Sequence, residues 1–195
     1  TSSPMEFADR PSAASAEVRA DRQRALLEQT PATLTGNAIG MALVALGFAA
    51  LAPQALLSWL AIAGALWALR LLHYLRFRRQ PQADVQTVLS WRRSWQALVL
   101  LQGATWPLAV WLFWREGESF HQLALILISY SYTLGSVQLL ATQSRLFFAF
   151  IAVVLAPIIV RVASDTSQPW HWQLAVVMAL LFAITMVMGR TYRNA

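Results

Sequence analysis

The chain has no cysteine and no lysine, and only nine acidic residues among 195. Without cysteine there can be no disulfide, no thiolate metal site and no thiol nucleophile. Charged residues make up 12% of the chain, against roughly a quarter in an ordinary soluble domain. Hydrophobic residues make up 57%, and the mean hydropathy is +0.49. A water-soluble globule of this size leaves too much of its area wet to hide that apolar content; lipid is the solvent that fits. All fifteen basic residues are arginine and give a net charge of +6. They punctuate apolar segments instead of forming one groove-sized patch, which argues against a nucleic-acid partner.

Chemistry-bearing motifs are also missing. There is no G-x-S-x-G elbow, no Walker loop and no H-E-x-x-H. No carboxylate lies inside any long apolar segment, which argues against a proton-coupled transport relay. The chain itself is expected to be non-catalytic.

What is present is an all-α pattern. Six apolar segments, at about 34–52, 55–72, 95–114, 121–141, 146–162 and 171–188, each approach the roughly 17–25 residues that cross about 30 Å of hydrocarbon. The reading is a polytopic membrane protein with six transmembrane helices spanning 31–190. Residues 1–16 are polar and lack the apolar core of a signal peptide, so they are expected to be a disordered leader. Residues 17–30 scatter Val18, Leu26 and Leu27 among charges, as in a helix lying on the membrane surface. Thr30 before Pro31 reads as an N-cap followed by proline at the first helical position. The connection 76–93 is the longest and is strongly basic.

Arginine placement orients the bundle. With six alternating spans, Arg10, Arg19, Arg22, Arg24, Arg70, Arg76, Arg78, Arg79, Arg92, Arg93, Arg145, Arg190 and Arg193 share one face, and Arg115 and Arg161 take the other. The positive-inside rule then puts both termini in the cytoplasm, N-in/C-in. On the same count Trp114, Trp170 and Trp172 belong to an outer aromatic belt, and Trp91 and Trp95 to an inner one. Arg70 and Arg161 lie near segment ends and are expected to snorkel.

Two constellations could bind something. Helical rise places Gln102 and Trp106 of the third segment at the mid-membrane depth of Tyr132 and Ser136 of the fourth. They could line a small ligand pocket. The competing account is helix–helix adhesion, with Gly135 and Ser136 allowing close approach. His121 and His171 open the fourth and sixth segments and are candidate ligands for haem, against the plainer account of interfacial histidines. No other metal site is expected and no cofactor can be assigned. Pro107 and Pro157 are expected to kink their helices.

The stretches VRADRQRALLEQTPATLTGN, GATWPLAVWLF, FHQLALIL and LAPIIVRV, the arginine-rich exit from the second segment, and a last segment running into GRTYRN together resemble the MASE-type six-helix N-terminal membrane sensor modules of bacterial GGDEF/EAL (cyclic-di-GMP) proteins and hybrid histidine kinases. The resemblance implies a sensory input domain in the bacterial inner (cytoplasmic) membrane. Its last segment would relay a ligand or membrane signal through 191–195, the start of a signalling helix, to a cytoplasmic output domain. The partners implied are the lipid bilayer, that output domain, an unidentified small ligand and a second copy in a homodimer. A small transporter subunit and a haem or redox membrane protein are the other readings of the same residues.

Overall fold

The computed structural model describes residues 13–80, 84–140, 143–167 and 169–194. Its elements are all helices: α1 (Ala13–Glu28), α2 (Thr30–Phe48), α3 (Pro53–Arg78), α4 (Val85–Phe113), α5 (Ser119–Leu140), α6 (Ser144–Ala163) and α7 (His171–Asn194). Much of the expected leader lies outside the described residues, and the described chain is helical from Ala13.

Several helices outrun the apolar segments that mark them. Hydropathy delimits the stretch that lipid favours, whereas the backbone stays helical until a turn or breaker intervenes. Thus α3 continues through Arg76 to Arg78, and α4 starts at Val85 behind Asp84, so most of the expected basic loop is helical. The α2–α3 turn is closed by the Leu51 and Ala52 amides donating to the Phe48 carbonyl, after which Pro53 opens α3. Thr30 is not an N-cap. Gln29 holds that position, Pro31 sits in the first turn, and the Thr30 hydroxyl reaches back to the Leu26 carbonyl at 3.5 Å. The helix before it already supplies the carbonyls, so no side-chain cap is required. Pro107 and Pro157 lie inside α4 and α6, which remain single helices through them.

The centre of the bundle is α4 and α6. Half of the apolar window of each is buried, against 22% for α3. Packing follows the chain in layers: α2 and α3 lie together, α3 against α4, α5 against α2 and α6, and α7 against α6. Buried at the join are Trp59, Trp106, Phe113, Phe150, Val154 and Ile158. Glycine permits two close approaches. A Cβ on Gly40 would collide with the Trp106 ring, and one on Gly103 would meet Phe150 at 2.7 Å. Indole N–H groups cross between helices to backbone carbonyls, Trp59 to Thr105 at 2.7 Å and Trp67 to Leu34 at 2.9 Å.

The outward faces are strongly apolar. Leu46, Leu57 and Phe120 are 81%, 69% and 76% exposed, and α7 presents Val176, Val177, Leu180 and Ile184. Contiguous apolar surface on this scale belongs against lipid or another protein. Four helical stretches are long and apolar enough to cross a membrane: Glu17–Phe48, Pro53–Arg78, Val85–Phe113 and Arg145–Ala163. His171–Val187 is a shorter apolar stretch, and α5 is diluted by its run of hydroxyl residues from Ser129 to Thr133.

The surface positions expected for several residues need correction. Trp95 and Trp114 are buried among helices, not in an aromatic belt, whereas Trp172 is exposed. α1 packs on α4, burying Ala20, Gln23, Leu26 and Leu27, while Val18 faces outward. The Gln23 side chain accepts from Gln143, which in turn accepts from Gln96, tying α1 to the turn before α6.

Candidate functional site

Between α2 and α5 lies a cavity of about 420 Å³, inside the range of roughly 300–1,000 Å³ usual for small-ligand sites. α2 contributes Thr33, Gly36 and Leu43 to its walls, and α5 contributes Leu127, Tyr132 and Ser136. Trp106 of α4 forms the floor. Glycine and alanine on α2 keep the space open, because no side chain larger than a methyl projects from Ala32, Gly36 or Gly40.

Three of the four residues expected at a binding site therefore meet. Trp106 and Tyr132 face each other with ring centroids 5.2 Å apart, and Ser136 follows one turn along α5, its hydroxyl donating to the Tyr132 carbonyl at 2.9 Å. Gln102 does not reach the cavity wall. It is completely buried one turn before Trp106, and neither side-chain amide atom has a partner. The adhesion account also needs changing. A Cβ on Gly135 would meet nothing within 4 Å, so this glycine borders the cavity instead of seating a helix. Gly40 is the residue that permits close approach.

Behind the cavity wall lies the residue that sequence reasoning passed over. Arg70 is 4% exposed and donates from Nη2 to the Thr33 hydroxyl at 2.9 Å. Its other close neighbour is the Tyr132 side chain, and its Nε and Nη1 atoms have no partner. Arg70 therefore does not snorkel. Because α3 runs on to Arg78, Arg70 sits two turns inside the helix and turns inward. The signal was present, since Arg70 is the single charged residue within 55–72, and an ionisable group inside a membrane segment is a functional candidate by default.

The histidines lie elsewhere. His121 packs edge-on against Phe48 at 5.6 Å and Phe120 at 5.7 Å. His171 begins α7, and His73 bonds Ser94 at 3.0 Å. Among the described residues no three histidine, aspartate or glutamate side chains form a cluster able to hold a metal ion.

A second polar cluster occupies the opposite end of the bundle. Arg161, also expected to snorkel, is 7% exposed and lies over the rings of Trp111 and Trp114 at 5.3 and 5.9 Å. The Trp114 indole donates to Asp165 at 2.6 Å, and the Trp111 indole donates to the Pro157 carbonyl at 3.1 Å. Ser167 also donates to Asp165, and this bond, more than that from Trp114, holds the carboxyl below its ordinary range. The cluster fastens the α4 and α6 ends together, although the buried Arg161 Nε has no hydrogen-bond partner. Comparison with protein families, characterised proteins and solved structures gives no match to the chain.

Proposed function

We propose that this chain is the membrane-embedded sensory input domain of a bacterial signalling protein, with six spans and both termini in the cytoplasm. In this reading the α2/α5 cavity receives the stimulus. The observation that carries it is the cavity floor: Trp106 belongs to α4, the central helix, and α4, α6 and α7 pack in series. A ligand that prefers one placement of Trp106 would bias how α4 seats on α6, and through α6 the position of α7. Such a shift requires only differential affinity for two packings. Arginine placement supports the topology, since the basic ends of α3 and the start of α4 fall on one side of the bundle.

The test joins the chain after Asn194 to a diguanylate cyclase domain and measures cyclic-di-GMP in cells. Trp106→Ala and Tyr132→Phe should each change output at least threefold while membrane levels of the fusion hold. Output identical to wild type in both variants would overturn the reading. Reporter fusions after Arg79 and Glu116 test the topology: the first should report cytoplasm and the second the far side.

A further inference from the structure

The α2/α5 cavity is long and narrow. Phe48 packs on His121 just beyond one end of it. Stepping equally far along the two antiparallel helices from that contact brings Leu43 level with Leu127 to within one residue, and then Thr33 level with Ser136. All four residues line the cavity. At about 1.5 Å of rise per residue, the lined stretch is about 15 Å long on α2 and about 14 Å on α5. A cavity of about 420 Å³ holds about fourteen groups at the ~30 Å³ of a water-sized group. Strung over that length, they form a single file. Carbon–carbon bonds of about 1.5 Å meeting at about 111° advance about 1.3 Å each, so about twelve carbons also fill the length.

No charged residue lines this space. Ile39, Leu43 and Leu127 give its far end an apolar wall and are about half or more exposed, so the groove opens sideways on the outward face of the bundle. The end at Thr33 and Ser136 is polar, and of one kind. The Thr33 hydroxyl gives its proton to the Thr30 carbonyl, and the Ser136 hydroxyl gives its proton to the Tyr132 carbonyl, each at 2.9 Å. With those protons committed to backbone, the two hydroxyls have only oxygen lone pairs to offer a ligand.

We infer that the α2/α5 cavity binds an uncharged single-chain amphiphile bearing a hydroxyl headgroup, of the long-chain alcohol type. Its hydroxyl donates at the Thr33 and Ser136 end, and its alkyl chain runs toward Leu43 and Leu127. A charged headgroup would lose its hydration in an uncharged, mainly apolar groove without gaining a partner charge. One file of carbons admits one chain, and the open flank admits it from the bilayer. This names the ligand class for the site on which the sensory reading rests. Binding is measured without any output domain, so a silent output and an absent ligand are separate results.

The test is equilibrium binding of radiolabelled dodecanol to the purified full chain in nanodiscs of phosphatidylcholine. Saturable binding of one dodecanol per chain is expected, with dodecane and dodecyltrimethylammonium each weaker. Ser136→Ala should weaken dodecanol about threefold to tenfold, the worth of one hydrogen bond, and leave dodecane unchanged. A Cβ on Gly36 or Gly135 would meet nothing within 4 Å, and both glycines line the cavity. Gly36→Leu and Gly135→Leu should therefore fill the groove without disturbing the fold and abolish binding. Gly64→Leu, equally open but on α3 away from the cavity, should bind as wild type does. Undiminished binding in Gly36→Leu and Gly135→Leu would overturn the site. Dodecanoate or dodecyltrimethylammonium binding as tightly as dodecanol would overturn the uncharged class, and dodecane binding as tightly would overturn the role of the hydroxyl. Binding that never saturates would overturn the inference in favour of the bilayer's own acyl tails filling the groove.

Discussion

The Trp106 ring occupies the space that a side chain on Gly40 would need, and from there it stacks at a tilt of 38° on Tyr132. The absence of one Cβ on α2 thus sets where the cavity floor lies. Gly40→Ala should push Trp106 toward Tyr132 and lower stability by about 1–3 kcal/mol, the usual cost of overpacking a filled site. Gly135→Ala, on the facing helix, meets nothing within 4 Å and should be neutral or slightly stabilising, because alanine is the better helix former. Thermal unfolding in detergent, followed by circular dichroism, compares the two. Equal destabilisation would mean that Gly135, not Gly40 alone, seats a helix.

Gln102 supports a prediction of opposite sign. Both of its amide atoms are buried without a partner, and an unsatisfied buried polar group costs about 1–3 kcal/mol. Leucine has similar volume and no such requirement. Gln102→Leu should therefore raise the unfolding temperature measured by circular dichroism in detergent. A loss of stability would show that the amide has a partner of its own.

The four residues expected at the site show what was legible in the chain and what was not. Trp106, Tyr132 and Ser136 could be grouped because helical rise gives depth from position alone, and depth survives whatever the helices do laterally. Gln102 lies on the same face of α4 as Trp106 but about 6 Å away along the axis, and which turn of a helix borders a cavity is decided by neighbours that a single sequence does not display. The same limit explains Arg70 and Arg161. Distance from an apolar boundary suggested snorkelling, but α3 continued past that boundary, and the tryptophans beside Arg161 gave it a place to lie. The all-helical class and the presence of several long apolar stretches were readable from composition. Partner choice across helices was not.

Arg161 lies over two indole rings, and desolvated contacts of this kind are worth up to about 2 kcal/mol. Arg161→Met keeps most of the length and apolar packing and removes the charge. It should destabilise the fold by about 1–2 kcal/mol, and Arg161→Lys by less, because an ammonium keeps the cation but loses the flat stacking face. Denaturant or thermal unfolding of the three proteins in the same detergent gives the order. If methionine proves as stable as arginine, the rings serve only as apolar packing.

Asp165 makes the same cluster sensitive to acid. Its carboxylate accepts from the Ser167 hydroxyl and from the Trp114 indole, and the Ser167 bond is the larger reason its proton affinity falls below normal. An aspartate whose folded-state pKa lies below the unfolded value, about 3.9, adds stability that is complete above that value and disappears as pH falls through the folded one. Wild type should therefore exceed Asp165→Asn in unfolding temperature by a constant margin from about pH 7 down to about pH 5, with the margin closing below about pH 4. Trp114→Phe removes the weaker of the two side-chain hydrogen bonds, so its margin should close at a slightly higher pH than that of wild type. A wild-type margin that closes near neutrality would assign the acid response to a group other than Asp165.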